Sequence, residues 1–167
     1  LKIDQANSTE MGDILSMQKN QANTEFSKYV TKNYLNWVQH DSDGPVLSHQ
    51  LFRRKIFPLL NNTTPTFVLL LDNLRFDQWK VIEPVLSELY RVEEEDTFCS
   101  ILPTATQYSR NAIFAGMMPL EIDKHHPDWW RNDNEEGGKN LFEKDLLAEQ
   151  IRRTLRKDIK HDYLKIT

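Results

Sequence analysis

Three observations predict an α/β domain with a mostly parallel sheet, preceded by a helical segment. Phe67–Leu71 is a short all-apolar run bounded by Pro65 and by Asp72-Asn73, which suits a buried parallel strand better than a helix. Thr97–Leu102 is a second such run, stopped by Pro103, and each of the two is followed by a stretch with helical spacing. Asp162–Thr167 alternates polar with apolar residues (Tyr163, Leu164, Ile166) as a third strand would. Strands and helices in alternation imply helices laid over a parallel sheet.

From the N-terminus, Met11 to Trp37 contains no Pro, and Ile14, Leu15, Phe26, Tyr29, Val30, Tyr34, Trp37 and Val38 recur at spacings near three and four. That predicts one long amphipathic helix with Phe26, Tyr34 and Trp37 packed against neighbouring helices. The turn residues Asp41–Pro45 end it, and Ser48 is positioned to cap a second helix carrying Leu51, Phe52, Ile56 and Leu59. Asn61–Pro65 reads as a linker, so residues 1–62 form a helical segment and 66–167 a separate domain. Asp77–Tyr90 predicts a helix kinked or restarted at Pro84, with Ile82, Val85, Leu86 and Leu89 inward. Glu93–Asp96 reads as a solvated turn, and Thr106–Gly116 as a helix ended by its glycine. Leu120–Gly138 is a polar loop, after which Asn140 and Glu143 form a capping pair for a helix through Arg156. Phe142, Leu146, Leu147, Ile151 and Leu155 mark the inner face of that helix.

Composition narrows the function classes. The chain of 167 residues has a formal net charge of -4 with acidic and basic residues interspersed, so it lacks the cationic surface of a non-specific nucleic-acid binder. One cysteine, Cys99, excludes an intrachain disulfide and suits a reducing cytoplasm. The longest apolar run, Phe67–Leu71, is far short of the roughly 20 residues of a membrane helix. The chain does not begin with Met and shows no signal-peptide pattern, and its ends read as those of a piece of a longer protein.

Ligands of open parallel sheets gather beyond the carboxyl ends of the strands, where Asp72 and the turn Pro103-Thr-Ala-Thr106 are predicted to fall. Asp72 emerging beside an apolar strand is either a metal ligand or the cap of the next helix. Thr106 at a helix start is either an N-cap or a nucleophile beside free backbone N–H groups, with Thr104 its rival in the same turn. His125, His126 and Asp128 are metal-capable types on a loop, where solvent-exposed or structural roles are commoner.

The stretches Leu70–Trp79 (LLDNLRFDQW) and Ser100–Gly116 (SILPTATQYSRNAIFAG) resemble the PglZ domain of the alkaline phosphatase superfamily, in the version carried by PorX-type response regulators of the Bacteroidetes type IX secretion system. The resemblance runs from Phe67 to Thr167, and the preceding helices resemble the end of the helical middle domain of those regulators. It implies a partial alkaline-phosphatase-like fold and a zinc-dependent phosphodiesterase acting on nucleotide or oligonucleotide phosphodiesters. Asp72 then corresponds to a ligand of one of two zinc ions and Thr106 to the nucleophile, since the second Thr attacks in the similar P-T-x-T turn; Thr104, Arg75 and Arg110 have supporting roles. The superfamily's other Asp and His ligands are expected on later strands, outside these 167 residues, and no family motif matches at His125, His126 or Asp128. The 167 residues alone are therefore expected to be inactive. A second reading is a non-catalytic signalling module that relays receiver phosphorylation to a sigma factor or to secretion machinery, with self-association through the helical segment.

Overall fold

The computed structural model describes residues 9–40, 44–61, 63–157 and 159–166. They fall into two compact units, one drawn from Leu1–Gly44 with Val68–Glu95, the other from Pro45–Phe67 with Asp96–Thr167. Among the described residues, no helix is long and apolar enough to cross a membrane.

The first unit contains α1 (Thr9–Gln39) and α2 (Phe76–Leu86). The long helix agrees with its apolar spacing, but Phe26 is exposed rather than packed. Trp37 is the buried residue of its last turns: its ring lies 5.5 Å from that of Tyr29. A Cβ at Gly44 would run into the Trp37 indole, so only glycine allows this approach. The predicted turn residues 41–43 lie outside the described residues. Pro84 sits within α2 without restarting it, and Ile82, Val85, Leu86 and Leu89, predicted inward, are exposed.

The second unit holds the core. Its first part is a chain of helical turns: a 3-10 turn at Ser48–Gln50, a π turn at Phe52–Ile56 and a 3-10 turn at Phe57–Leu59. They replace the single helix expected there. Then come α3 (Thr106–Ala115), α4 (Pro119–His125), a 3-10 turn at Pro127–Trp129, and α5 (Glu143–Leu155). Phe52, Phe57, Ile113, Phe114, Met117, Ile122, Trp130, Leu146, Leu147 and Ile151 form one apolar cluster. Leu146, Leu147 and Ile151 are the predicted inner face of α5, brought together by helical spacing. Within Leu120–Gly138, predicted as loop, residues 120–125 and 127–129 are helical: Pro119 starts α4, Glu121 Oε2 accepts the Met118 N–H at 2.8 Å, and Ile122 is fully buried.

α3 ends as its glycine predicts. Gly116 adopts a left-handed φ of 60°, and a Cβ there would also strike the Gln150 amide. Arg153 on α5 donates to the Ala115 carbonyl at 2.7 Å, placing a cation on the negative end of α3. Two capping expectations fail. Ser48 caps nothing, since its Oγ instead accepts the Ile101 N–H at 3.1 Å, and Asn140 donates to Asn111 Oδ1 at 3.0 Å instead of capping α5.

The α/β fold with a mostly parallel sheet is not present. Among the described residues there is no strand, and pairing is limited to an isolated parallel bridge between Leu47 and Cys99, where the Cys99 N–H donates to Val46 O at 2.8 Å. An all-apolar strand is stable when strands flank it and layers cover both faces. Phe67–Leu71 has neither: its residues are non-helical and exposed, with Phe67 at 84% and Leu69 at 88%. In Asp162–Ile166 only Tyr163 is partly buried, and Thr167 lies outside the described residues.

Candidate functional site

α3 defines the candidate site, and its start is set by local chemistry. Ala105 is extended (φ -61°, ψ 142°), and its carbonyl accepts the N–H groups of Tyr108 and Ser109, both at 3.0 Å. Thr106 is therefore the first helical residue, one position inside the cap, and no side-chain cap hydrogen bond is made at this end. Its side chain is exposed, as is that of Thr104 in the preceding turn. The peptide bond between Leu102 and Pro103 is cis. The Thr106 and Gln107 N–H groups precede the first intrahelical bonds, at the positive end of the helix dipole.

A hydroxyl cluster lies behind that turn. Ser109 Oγ is 2.7 Å from Ser100 Oγ and 3.3 Å from Ser48 Oγ. Ser109 lies three residues after Thr106, and Ser100 opens the same motif. That spacing was the available signal for a pairing the sequence reading missed.

Asp72 lies in the other unit, in a turn with Asn73, whose φ of 58° is left-handed. It is exposed and is not the cap of α2, which starts at Phe76 behind Arg75; the Arg75 N–H is held by Gln78 Oε1 at 3.0 Å. The Arg75 guanidinium lies alongside Asp77, with Nε to Oδ1 at 2.9 Å and the second bond at 3.0 Å. That hydrogen bond holds the Asp77 carboxyl below its usual range and raises the guanidinium.

Arg110 is likewise engaged, donating to Glu143 Oε2 at 2.8 Å. Glu143 is 1% exposed, and the same oxygen accepts Tyr163 Oη at 2.7 Å and Lys165 Nζ at 3.0 Å. Two cations and a phenol thus converge on one carboxylate between α3, α5 and the 159–166 segment. Burial, followed by the Glu143 carboxylate, pushes the Tyr163 phenol up to about 12. Because this pKa is raised, the folded state keeps a proton that the unfolded chain releases near 10.0. The stabilisation is complete below pH 10 and is lost as pH rises through about 12. In an ultraviolet titration of the five tyrosines, a phenol ionising late, in step with loss of urea resistance, should vanish in Tyr163→Phe. Asp133 raises the Tyr108 phenol as well, so the titration is repeated with Tyr108→Phe in the same background, where a late phenol that still persists would refute the assignment.

The metal-capable loop residues do not converge. His126 stacks on Trp129 at 4.4 Å and 6°, and Trp129 stacks on Phe142, so the aromatic ladder is occupied by its own members. Among the described residues no three His, Cys, Asp or Glu side chains are grouped to hold a metal ion. Asp72 supplies one exposed carboxylate, so the described residues fit a single ligand of a metal centre and do not by themselves complete one.

A family model described as the BREX system PglZ alkaline phosphatase-like domain matches residues 51–165, and one described as the PorX response regulator linker domain matches residues 1–38. No curated protein matches the chain.

Proposed function

From the premise that this chain belongs to the BREX system PglZ alkaline phosphatase-like domain family, we propose that it supplies the nucleophile of a phosphodiesterase within a response regulator. The observation that carries this reading is Thr106 as the first, exposed residue of α3. A phosphate at a helix N-terminus meets backbone N–H groups and the positive end of the dipole, with the Thr106 hydroxyl beside it. The hydroxyl oxygen attacks phosphorus in line, giving its proton to solvent, as the bond to the leaving oxygen breaks and that oxygen takes up a proton to leave as an alcohol; water then cleaves the resulting phosphothreonine ester, restoring the hydroxyl and releasing a phosphomonoester. The substrate class is a nucleotide or oligonucleotide phosphodiester. Arg110 is held by Glu143, so its part is to tie α3 to the start of α5, and Arg75 is held by Asp77 within its own turn.

Zinc belongs to this reading through the family, with Asp72 as the ligand contributed by these residues. A cytoplasmic setting belongs to it too, supported by the free thiol of Cys99. The test is zinc content together with hydrolysis of bis(p-nitrophenyl) phosphate by the natural protein that carries this chain. Zinc-loaded protein that cleaves the diester, beside residues 1–167 that do not, is the expected result. Zinc-loaded protein without turnover would leave the second reading, a module relaying receiver phosphorylation to a sigma factor or secretion machinery. The linker match and the 31-residue α1, which exposes Met11, Ile14, Met17, Phe26 and Leu35, favour such a relay and self-association through that helix.

A further inference from the structure

The turn that carries Thr104 and Thr106 is tied at both ends to one residue. At its start, Ser100 Oγ shares a hydrogen bond with Ser109 Oγ at 2.7 Å; at its end, the Ser109 N–H donates to Ala105 O at 3.0 Å. Ser109 thereby closes residues 100–105 into a loop from within α3. Ser48 extends the cluster: it is fully buried, sits 3.3 Å from Ser109 Oγ, and accepts the Ile101 N–H at 3.1 Å. Its segment also takes the Cys99 N–H on Val46 O at 2.8 Å. Ser48 precedes residues 51–165, which match the PglZ domain, and follows the 1–38 stretch that matches the linker.

We propose that Ser109 is the positioning residue of Thr106, within a hydroxyl cluster that Ser48 completes. The inference rests on the reading of Thr106 as nucleophile. Its physical content is that the loop leading into Thr106 has no conformation fixed by its own bonds, and a side-chain bond at one end with a backbone bond at the other selects one. Removing the hydroxyl releases the start of the turn while leaving the helical N–H bond. The attacking oxygen then samples more positions, which lowers the rate of the chemical step more than substrate binding.

The experiment compares wild type, Ser109→Ala and Ser109→Thr in the natural protein, by amide hydrogen exchange and by kinetics on bis(p-nitrophenyl) phosphate. Ser109→Ala should speed exchange at Ile101 and Tyr108 about tenfold, in line with the loss of one hydrogen bond, with α5 unchanged. It should lower kcat by about tenfold with KM unchanged. Ser109→Thr, which keeps the hydroxyl on a partly exposed residue, should restore both. Unchanged exchange at Ile101 and Tyr108, or faster exchange spread evenly through α3 and α5, would overturn the proposal, as would a KM effect without a kcat effect. A wild type that exchanges as described but hydrolyses nothing would defeat the reading of Thr106 as nucleophile, and the positioning role with it; the loop closure itself would still be visible in the exchange.

Discussion

Thr106→Ala in the natural protein should lower kcat on a phosphodiester by about a thousandfold or more, or about 4 kcal/mol of transition-state stabilisation. The size follows from position. Thr106 is the first residue of α3, and its hydroxyl stands beside N–H groups that come before the first intrahelical bonds to Ala105 O. Thr104 lies two residues back in the turn, outside the helix. Thr104→Ala should cost about tenfold, by loosening the turn alone. Zinc content should remain near wild type in both variants, which separates loss of the nucleophile from loss of metal. Activity that survives Thr106→Ala and disappears with Thr104→Ala would reverse the assignment.

Glu143→Ala should destabilise the second unit by about 3–5 kcal/mol, because it removes the one carboxylate on which Arg110, Tyr163 and Lys165 converge at 2.8, 2.7 and 3.0 Å. Arg110, partly buried at 19% exposure, would lose the charge of Glu143. Glu149 provides the control: the Arg152 guanidinium paired with it at 2.7 Å is 75% exposed, where water screens the attraction, and Glu149→Ala should move the urea midpoint far less. Equal midpoints for the two variants would show that the Glu143 cluster contributes no more than a surface pair. Glu143→Gln should fall between them, since the amide keeps shape and some hydrogen bonding but not charge.

Local signals in the sequence carried the helices. The apolar spacing over Met11–Trp37 corresponds to α1, Gly116 ends α3 in the left-handed conformation that it favours, and Leu146, Leu147 and Ile151 share one buried face because helical geometry leaves them little choice. The motifs Leu70–Trp79 and Ser100–Gly116 likewise led to the family without any tertiary information. Capping was less legible, since Ser48, Asn140 and Glu143 all have cap chemistry in sequence but find partners 53, 29 and 33 positions away. A polar side chain takes the best partner within reach in the folded chain, and spacing along the sequence says nothing of distant ones.

By itself, then, the sequence determined the long α1, the glycine end of α3, the inner face of α5 and the family to which the chain belongs. The tertiary structure decided that Phe67–Leu71 and Thr97–Leu102 form no sheet, because a strand exists only through hydrogen bonds to a neighbour that its own residues do not specify. It also decided that Arg110 is held by Glu143 and that Ser109 closes the Thr106 turn, because both are pairings between segments far apart in the chain or folded back on themselves. A helix is closed by bonds within four residues and so is written locally; a sheet, a buried ion cluster and a positioned nucleophile depend on what the rest of the chain brings alongside.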